Sequence, residues 1–476
     1  MSLQISSKVD KNKVFLVWQS ELRGRLDSAS YSVKNIFTGS LFPLQRLKTH
    51  FIINPQQKEK TVPFDTYAFI PMENVSEEDA SIAKIGTIQG SDSRGYTTFL
   101  ERDLICAKIT PCMENGKMAI VKDLPSQIGF GSTEFHVFRE KTHKVSVEFL
   151  RSLFLLRSFR DYAKCNFTGS AGQQRVPTEF FDKLEIPIPP PKIQSKIVTQ
   201  IDAAYEAKKK KESEAQQLLD SIESYLLSEL GIRPPKQEEN SLVNRMFTRH
   251  FREMSGGRLD PFYYKNTFEE AKKSLEKGRY PLMLLKDLAS LIESGSRPSG
   301  GVATLTDGVL SFGGEHINNQ CEIEVKTPKY IPYDFHKANL STETKENDVL
   351  LVKDGATTGK IGIVENQEHV GQNINEHVFL LRFAHSMNPY YFLNLATTHL
   401  YQILIQRVIA GATVMGLTKD IVKAFQIPLP PIDKQNEIAD NISGIRNQVR
   451  TLQEQAKEEV EQAKKEVEVM ILRDSQ

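Results

Sequence analysis

The sequence has little of what marks a secreted, membrane-bound or metal-binding protein. It contains 4 cysteines in 476 residues, and none forms the C-x-x-C pair of a zinc site or a disulfide framework. No apolar run approaches the roughly 18 residues that span a bilayer. The first residues, MSLQISSKVDKNKVF, lack the apolar stretch of a signal peptide. We therefore expect a cytoplasmic protein with reduced thiols and no contact with a membrane.

The sequence is equally poor in catalytic motifs. The stretch GATTGK at 355–360 resembles a phosphate-binding loop, but its glycines are one residue too close together, and it continues as an apolar strand rather than a helix. The stretch NPYYF at 388–392 resembles a methyltransferase motif, but no glycine-rich cofactor turn precedes it. Asn388 and Pro389 are instead typical of a helix start. We expect no catalytic site, no cofactor and no metal in this chain.

What the sequence does contain is an internal repeat of about 240 residues, too long for a solenoid repeat. Each copy should therefore be a domain with an appendage. Glu73 and Glu315 match across the copies, as do Asp27 and Asp260, and we expect structural roles for all four. Four landmarks recur in the same order: GRLDSASYS (24–32) with GRLDPFYYK (257–265), FIPMENV (69–75) with SFGGEHI (311–317), RDLICAKITPCMENGKMAIV (102–121) with NDVLLVKDGATTGKIGIV (347–364), and EFFDKLEIPIPPPKIQSKI (179–197) with KDIVKAFQIPLPPIDKQNEI (419–438).

Each copy ends in a proline-rich stretch followed by a long charged segment with apolar residues at helical spacing. In the second segment the spacing alternates between 4 and 3, the pattern of a coiled-coil seam. We predict two helices of about 38 residues, roughly 57 Å long, that pair antiparallel and separate the domains; two independent surface helices are the alternative. We predict that these helices bind partner subunits, and we assign to them Ile197, Ile201, Leu218, Ile222, Ile438, Ile442, Ile445, Val449 and Leu452.

The remaining sequence of each copy predicts a mixed domain. Short β-type runs precede one late helix, near 146–164 in the first copy and 388–408 in the second. The prolines at 234–235 and the polar run after them should end the first long helix. The fold class is therefore α+β, with two tandem pseudo-symmetric domains separated by two long helices. We predict four segments: a first domain at 1–185, a spacer helix with linker at 186–242, a second domain at 243–426 and a C-terminal helix at 427–476.

Duplicated domains on paired helices match the local two-fold symmetry of duplex DNA. The net charge is only +1, but both long helices have an acidic excess, which leaves the rest of the chain slightly basic and permits DNA binding. Because the copies differ outside the landmarks, we expect them to read different half-sites. The target would then be bipartite and asymmetric, with an unread spacer.

These features together resemble the DNA-specificity subunit of type I restriction–modification systems. The resemblance rests on the duplicated GRLD, the FIPMENV and GGEHI segments, the DVLLVKDGATTGK stretch and the I-P-x-P-P entry into a long helix, and it covers roughly residues 14–471. It implies two target-recognition domains joined by spacer helices, no catalytic activity, and a scaffold for two methyltransferase subunits and two restriction subunits. The S-adenosylmethionine and ATP sites would lie on those partners.

The residues that would touch DNA are predicted from loop position and side-chain type. Arg, Lys, Asn, Gln, Ser and Thr side chains read base edges or hold phosphates. The candidates also include Asn319, Gln320 and Thr358, which neighbour assigned residues. The assigned DNA-binding residues are Ser170, Gln173, Gln174, Arg175 and Lys117 in the first copy, and Ser296, Arg297, Ser299, His316, Asn318, Lys353, Thr357, Lys360 and Thr413 in the second.

Two alternative functions remain open at this stage. The chain could be a self-contained adenine methyltransferase with fused specificity domains, which would bind S-adenosylmethionine by itself. It could also be a coiled-coil adaptor that does not bind DNA, and salt-dependent DNA binding would distinguish that case. For the favoured function, Lys360→Ala should weaken DNA binding on all sequences and flatten the salt slope by about one unit.

Overall fold

The computed structural model describes residues 36–56, 66–77, 79–125, 128–170, 172–235, 246–254, 260–301, 305–409 and 416–472. The chain forms two compact units, one comprising residues 1–214 and 452–476 and the other comprising 215–451. Each unit thus contains one globular part and one half of each long helix. The predicted four-segment division stays a prediction. The first GRLD landmark lies outside the described residues, as does the second except for Asp260.

The first unit contains two four-stranded sheets. One is antiparallel throughout, and its strand Leu104–Ala107 is buried at every residue, as the unbroken apolar run LICA predicts. In the other sheet, Thr66–Ile70 pairs parallel with Ile128–Gly131. The strand orders are Phe51–Ile53, Phe135–Glu140, Leu104–Ala107, Met118–Ile120 in the first sheet, and Gly86–Gln89, Thr66–Ile70, Ile128–Gly131, Thr97–Leu100 in the second; the pair Leu44–Arg46 and Glu185–Pro187 stands apart.

The second unit repeats this arrangement. Its antiparallel sheet has the same strand order, and the fully buried strand Val349–Val352 occupies the place of Leu104–Ala107. In its other sheet Val309–Phe312 again pairs parallel with a later strand. The orders are Ala289–Ser294, Val378–Phe383, Val349–Val352, Ile361–Ile363, and Tyr330–Ile331, Val309–Phe312, Asn373–Ile374; Leu282–Leu284 pairs with Gln426–Pro428. The mixed fold and the internal repeat are confirmed.

A buried ion pair also recurs in both units. Asp103 accepts two hydrogen bonds from Arg139, at 2.8 and 2.6 Å, and Asp348 accepts two from Arg382, at 2.8 and 2.7 Å. Both aspartates are only 1% exposed. Each aspartate belongs to the repeated landmark and directly precedes the fully buried strand, and each arginine lies on the strand that pairs with it. The ion pair therefore joins the same two strands in each copy. Bidentate geometry makes such pairs strong and directional.

The two long helices span Pro191–Glu229 and Ile432–Ile471, close to the predicted length. In the first unit they run antiparallel, since Lys211 Nζ lies 2.5 Å from Glu459 Oε1 and Gln200 contacts Glu466. They also run antiparallel in the second unit, where residues 225 and 229 contact residues 441 and 434, respectively.

The residues assigned to the partner-binding helices contact their own chain. They contribute to the helix pairing and to the cores of the two units, so a partner would have to bind other faces of the helices. The assignment of these residues to partner binding stays a prediction, although the same apolar stripe also packs against the protein's own domains. Ile197, Ile201, Ile222, Ile438, Ile442 and Val449 are buried, while Leu218, Ile445 and Leu452 are half-buried.

The first long helix ends before the prolines that were predicted to end it. Its last residue is Glu229, and Gly231 follows with φ +65°. The Ile232 N–H donates to the Leu227 carbonyl at 2.8 Å, which closes a glycine-terminated cap. Glycine is required here because a Cβ would also lie 3.1 Å from the Arg279 side chain.

Each predicted late helix is in fact two consecutive helices. In the first unit they are Val147–Phe154 and Arg157–Lys164, and in the second Pro389–Thr397 and His399–Val408. Asn388 caps the second pair as predicted, since its side chain accepts from the N–H groups of residues 390 and 391. The break at Thr398 was not predicted. Thr398 is the cap of the second helix of this pair, since its side chain accepts from the residue 401 N–H.

Among the described residues, none of the helices combines the length and apolar character needed to cross a membrane.

Candidate nucleic-acid interface

The stretch that resembles a phosphate-binding loop is a strand–turn–strand. Val349–Val352 pairs antiparallel with Ile361–Ile363, so a strand follows the glycine, as the apolar run predicts, and no helix does. Gly359 has φ +89° and lies two residues before the second strand. Lys360 is half-buried beside it, and within the described part of the chain no carboxylate lies within ion-pairing distance of its ammonium group.

The loop around residues 168–175 presents amides from the first unit. Its ends are closed by two hydrogen bonds of 2.9 Å between the backbones of Thr168 and Arg175. Ser170, Gln173 and Gln174 are exposed, which suits residues that read base edges.

Arg175 holds this loop in place. Its guanidinium pairs with both carboxylate oxygens of Glu134 at 2.9 Å and donates to the Gln173 carbonyl at 2.7 Å. The hydrogen bond from Arg175 lowers the pKa of Glu134 against the opposing effect of burial. The guanidinium thus fixes the loop to the sheet.

Lys117 also has an internal partner. Its ammonium group lies 3.4 Å from the Met72 carbonyl and ties the turn to the FIPMENV segment. Its equivalent in the second unit, Lys360, instead lines an open groove of about 450 Å³.

The loop that contains His316 is held by its own side chains. His316 is buried, and its Nδ1 accepts from the Gly313 N–H at 2.9 Å while Nε2 donates to the Thr327 carbonyl at 3.1 Å. With both ring nitrogens engaged, His316 positions the loop and has no group left for a base. Asn318 accepts from the N–H groups of residues 320 and 322, so it shapes a turn and is half-buried.

Ser296 and Arg297 line a second, smaller cleft of about 120 Å³. Arg297 is 59% exposed and lies 3.5 Å from Glu376. A Cβ on Gly295 would lie 2.2 Å from the Asn375 carbonyl oxygen, so only glycine permits this close approach of the two loops. The exposed Ser299 extends the same loop.

The other predicted residues fall into different places. Lys353 approaches Ser294 at 3.3 Å, behind the smaller cleft, and Thr357 lines the larger groove with Lys360. Thr413 lies outside the described residues. The second unit therefore brings the predicted residues together in two groups: Ser296 and Arg297 at the cleft, and Asn318, Thr357 and Lys360 at the groove.

Sequence reasoning missed several residues that line these two sites. Lys329, Asn375 and His377 line the cleft, and Thr397 and Gln402 line the groove. The stretch GQNINEH at 371–377 carried a signal, since polar residues there interrupt two apolar strands. Gln402 lies within a helical pattern and gave no such signal.

Most cations at these sites already have an acidic partner. Lys329 pairs with Glu315 at 2.5 Å. Burial raises the pKa of the glutamate, but the hydrogen bond from Lys329, a backbone hydrogen bond and nearby positive charge together lower it overall. His377 Nδ1 lies 2.5 Å from Asp354. This internal pairing is consistent with the net charge of +1. In the described residues, no group of three or more His, Cys, Asp or Glu side chains could hold a metal ion.

Comparison with known proteins assigns the chain to a family. The family model described as "Type I restriction modification DNA specificity domain" matches residues 53–219 and again 283–462, together more than half of the chain. The chain belongs to this family. The two matched ranges cover most of the two structural repeats, so the duplication seen in the fold is a duplication of the family domain.

Two curated relatives from Escherichia coli are similar to parts of this specificity-domain chain. The EcoEI specificity subunit of a type I restriction enzyme is 36% identical over 151 residues, and the EcoAI subunit is 32% identical over 187 residues. The matches cover 31% and 39% of this chain but only 25% and 32% of the relatives, so they span about a quarter to a third of those proteins.

A solved chain has the same fold over nearly its whole length. It belongs to a structure described as the basis of complex assembly and conformational transition of the type I R-M system. It is 17% identical, covers 90% of this chain and 96% of its own, and has a TM-score of 0.56.

Proposed function

We propose that this chain is the non-catalytic DNA-specificity subunit of a type I restriction–modification complex. In this role it recognises an asymmetric bipartite target on double-stranded DNA and serves as the scaffold for two methyltransferase subunits and the restriction subunits. Family membership supports the general role. The observation that carries the bipartite target is the duplication of one sheet platform whose loops differ between the units.

The two platforms differ where a nucleic-acid reader would differ. Cys106 pairs in register with His136 in the first unit, whereas Leu351 pairs with Phe379 in the second. The residues just before these, Glu134 and His377, bind Arg175 and Asp354, respectively. The same framework thus holds different buried side chains within its central strands and different ion pairs just before them, which favours two unlike half-sites.

The first experiment is reconstitution. The purified chain alone should neither methylate nor cut DNA, and it should confer sequence-specific adenine methylation when it is combined with its methyltransferase partner. Binding of S-adenosylmethionine by the chain alone would support a self-contained methyltransferase instead. Absence of salt-dependent DNA binding in the reconstituted complex would favour a coiled-coil adaptor.

A second experiment exchanges the globular part of the second unit for that of another family member. We choose residues 260–428 as the segment to exchange. It must include residue 269, because Arg407 is paired with Glu269, and both strands Leu282–Leu284 and Gln426–Pro428, which pair with each other. Half of the methylated sequence should change with this exchange.

A further inference from the structure

The open groove of the second unit has the chemistry of an anion site. Its lining consists of Asn318, Asn319, Cys321, Thr357, Thr358, Gly359, Lys360, Ile361, Thr397 and Gln402. None of these side chains is acidic. The volume of about 450 Å³ lies within the range of small-ligand sites.

Two cations bear on this groove. Lys360 is part of its wall, and Arg446 of the second long helix reaches its edge, where it donates to the Gln320 carbonyl at 3.3 Å and to Asn394 Oδ1 at 3.1 Å. In the described residues neither cation is paired with a carboxylate. Burial raises the pKa of the Cys321 thiol, and the positive charges of Arg446 and Lys360 oppose this rise, which places both charges near the same wall.

An acidic group beside the groove, Glu322, is already paired. Glu322 Oε2 accepts from Asn318 at 3.0 Å, and Glu322 Oε1 lies 2.9 Å from Arg450. The groove therefore combines uncompensated positive charge with hydroxyl and amide groups, among them the exposed Thr357 and Asn319. A lysine ammonium with hydroxyl and amide donors is a common set for a phosphate oxygen.

The first unit fills the corresponding place with its own side chain. Arg160 and Gln402 are each the fourth residue after the cap of their helix, and both contact the glycine turn. Arg160 donates to the Glu114 carbonyl at 2.8 Å, and its guanidinium would lie 3.1 Å from a Cβ on Gly116. The shorter Gln402 donates to the Gly359 carbonyl at 3.1 Å. In the first copy, the arginine beside this turn is a cation that bonds to its own chain. In the second copy, an uncharged glutamine stands at the same position.

We propose that the groove beside Lys360 in the second unit binds a phosphoryl group, and that the first unit has no equivalent site because Arg160 occupies it. A DNA backbone phosphate and a free phosphate or nucleotide share this chemistry. The DNA form of the proposal rests on the proposed function, whereas the free-phosphate form does not.

The test uses the full chain with Lys360→Gln, Lys360→Arg and, as the control, Lys337→Gln, at a lysine of the same unit that is 75% exposed and outside the groove lining. In the first arm, DNA binding of each variant is measured with the methyltransferase partner over a series of salt concentrations. Lys360→Gln should reduce the slope of log affinity against log salt by about one unit. Lys360→Arg and Lys337→Gln should keep the wild-type slope, and no variant should change the bases that are methylated.

In the second arm, the thermal unfolding of the chain alone is compared in inorganic phosphate and in chloride of equal ionic strength. A free-phosphate site should raise the midpoint of the wild type and of Lys337→Gln by about 3 °C more than that of Lys360→Gln at phosphate well above Kd. The general stabilising effect of phosphate acts on all variants and cancels in this difference.

The two arms separate the sources. A change in the first arm alone assigns the groove to the DNA backbone, and a change in the second alone assigns it to free phosphate or a nucleotide. If Lys360→Gln matches Lys337→Gln in both arms, the proposal is overturned. Failure of the wild-type complex to bind DNA would contradict the proposed function, and the second arm would still decide on the groove.

Discussion

The two units have the same framework and differ in the side chains at particular positions of it. Both have the antiparallel sheet with a fully buried central strand, the buried Asp–Arg pair, and the proline-rich entry into a long helix. They differ within the sheet, where the buried His136 corresponds to the buried Phe379, and on the adjoining helix, where Arg160 corresponds to Gln402. The comparison separates residues that build the domain from residues that are free to change with the target.

The largest expected effect tests whether the framework is equivalent in both units. Asp103→Ala and Asp348→Ala should each reduce the free energy of unfolding of their own unit by about 3–5 kcal/mol, because each leaves a partly buried arginine without its partner. Hydrogen exchange of Leu104–Ala107 and Val349–Val352 would report on each unit separately. Asp334→Ala, at a side chain that is 99% exposed, is the control. A loss below about 1 kcal/mol in one unit only would break the equivalence.

A pH experiment should separate the two units. Burial lowers the pKa of His136 from 6.5 to about 4. Between these values the unfolded chain binds a proton that the folded chain does not, so the stability of the first unit should fall by up to about 3 kcal/mol as the pH drops from 6.5 to 4. Phe379 makes no such contribution in the second unit. Hydrogen exchange at pH 7 and pH 5 measures the effect, and His136→Phe should remove most of it; an unchanged pH dependence would contradict this account.

A smaller effect is expected at a duplicated buried amide. Gln194 donates to the carbonyls of residues 144 and 189, and Gln435 donates to those of residues 386 and 430. Each joins the start of a long helix to its own domain. Gln194→Leu and Gln435→Leu should each cost about 2 kcal/mol, because buried carbonyls lose their donors. Denaturant unfolding measures the cost, and exposed Gln216→Leu provides the control. Unequal losses of unfolding free energy would show that the two helix–domain contacts are not equivalent.

The smallest effect on stability concerns the ion pair between Arg175 and Glu134 in the first unit. Arg175→Ala should change the free energy of unfolding little, because the pair with Glu134 is partly exposed. If Arg175 acts by holding the loop, then Arg175→Ala, Glu134→Ala and the double variant should weaken DNA binding equally without changing the bases that are read. If Arg175 reads a base instead, Arg175→Ala would relax specificity at one position and Glu134→Ala would not.

The sequence predicted the framework well because its determinants are local or repeated. Unbroken apolar runs predicted the buried strands, Asn388-Pro389 predicted a helix start, and seam spacing predicted the paired helices. A family resemblance added the function. The end of the first helix was misplaced because Gly231 precedes the prolines and stops the helix first.

The candidate site was predicted less well because its residues depend on tertiary contacts. Nothing in the sequence around His316 shows that both ring nitrogens are used internally. The pairing of Arg175 with Glu134 joins residues 41 positions apart, and Gln402 meets the Gly359 turn from another helix. The sequence therefore selected loop residues by side-chain type, and the structure shows which of them also hold their loops. Whether each of them contacts DNA stays a prediction.

The central claim is that each unit reads its own half-site. The most direct measurement is the methylome of cells that express the methyltransferase with a chain in which residues 260–428 are exchanged for those of another family member. The account predicts that one half of the bipartite sequence changes while the other half is retained. An unchanged methylation pattern, or a change in both halves at once, would contradict it.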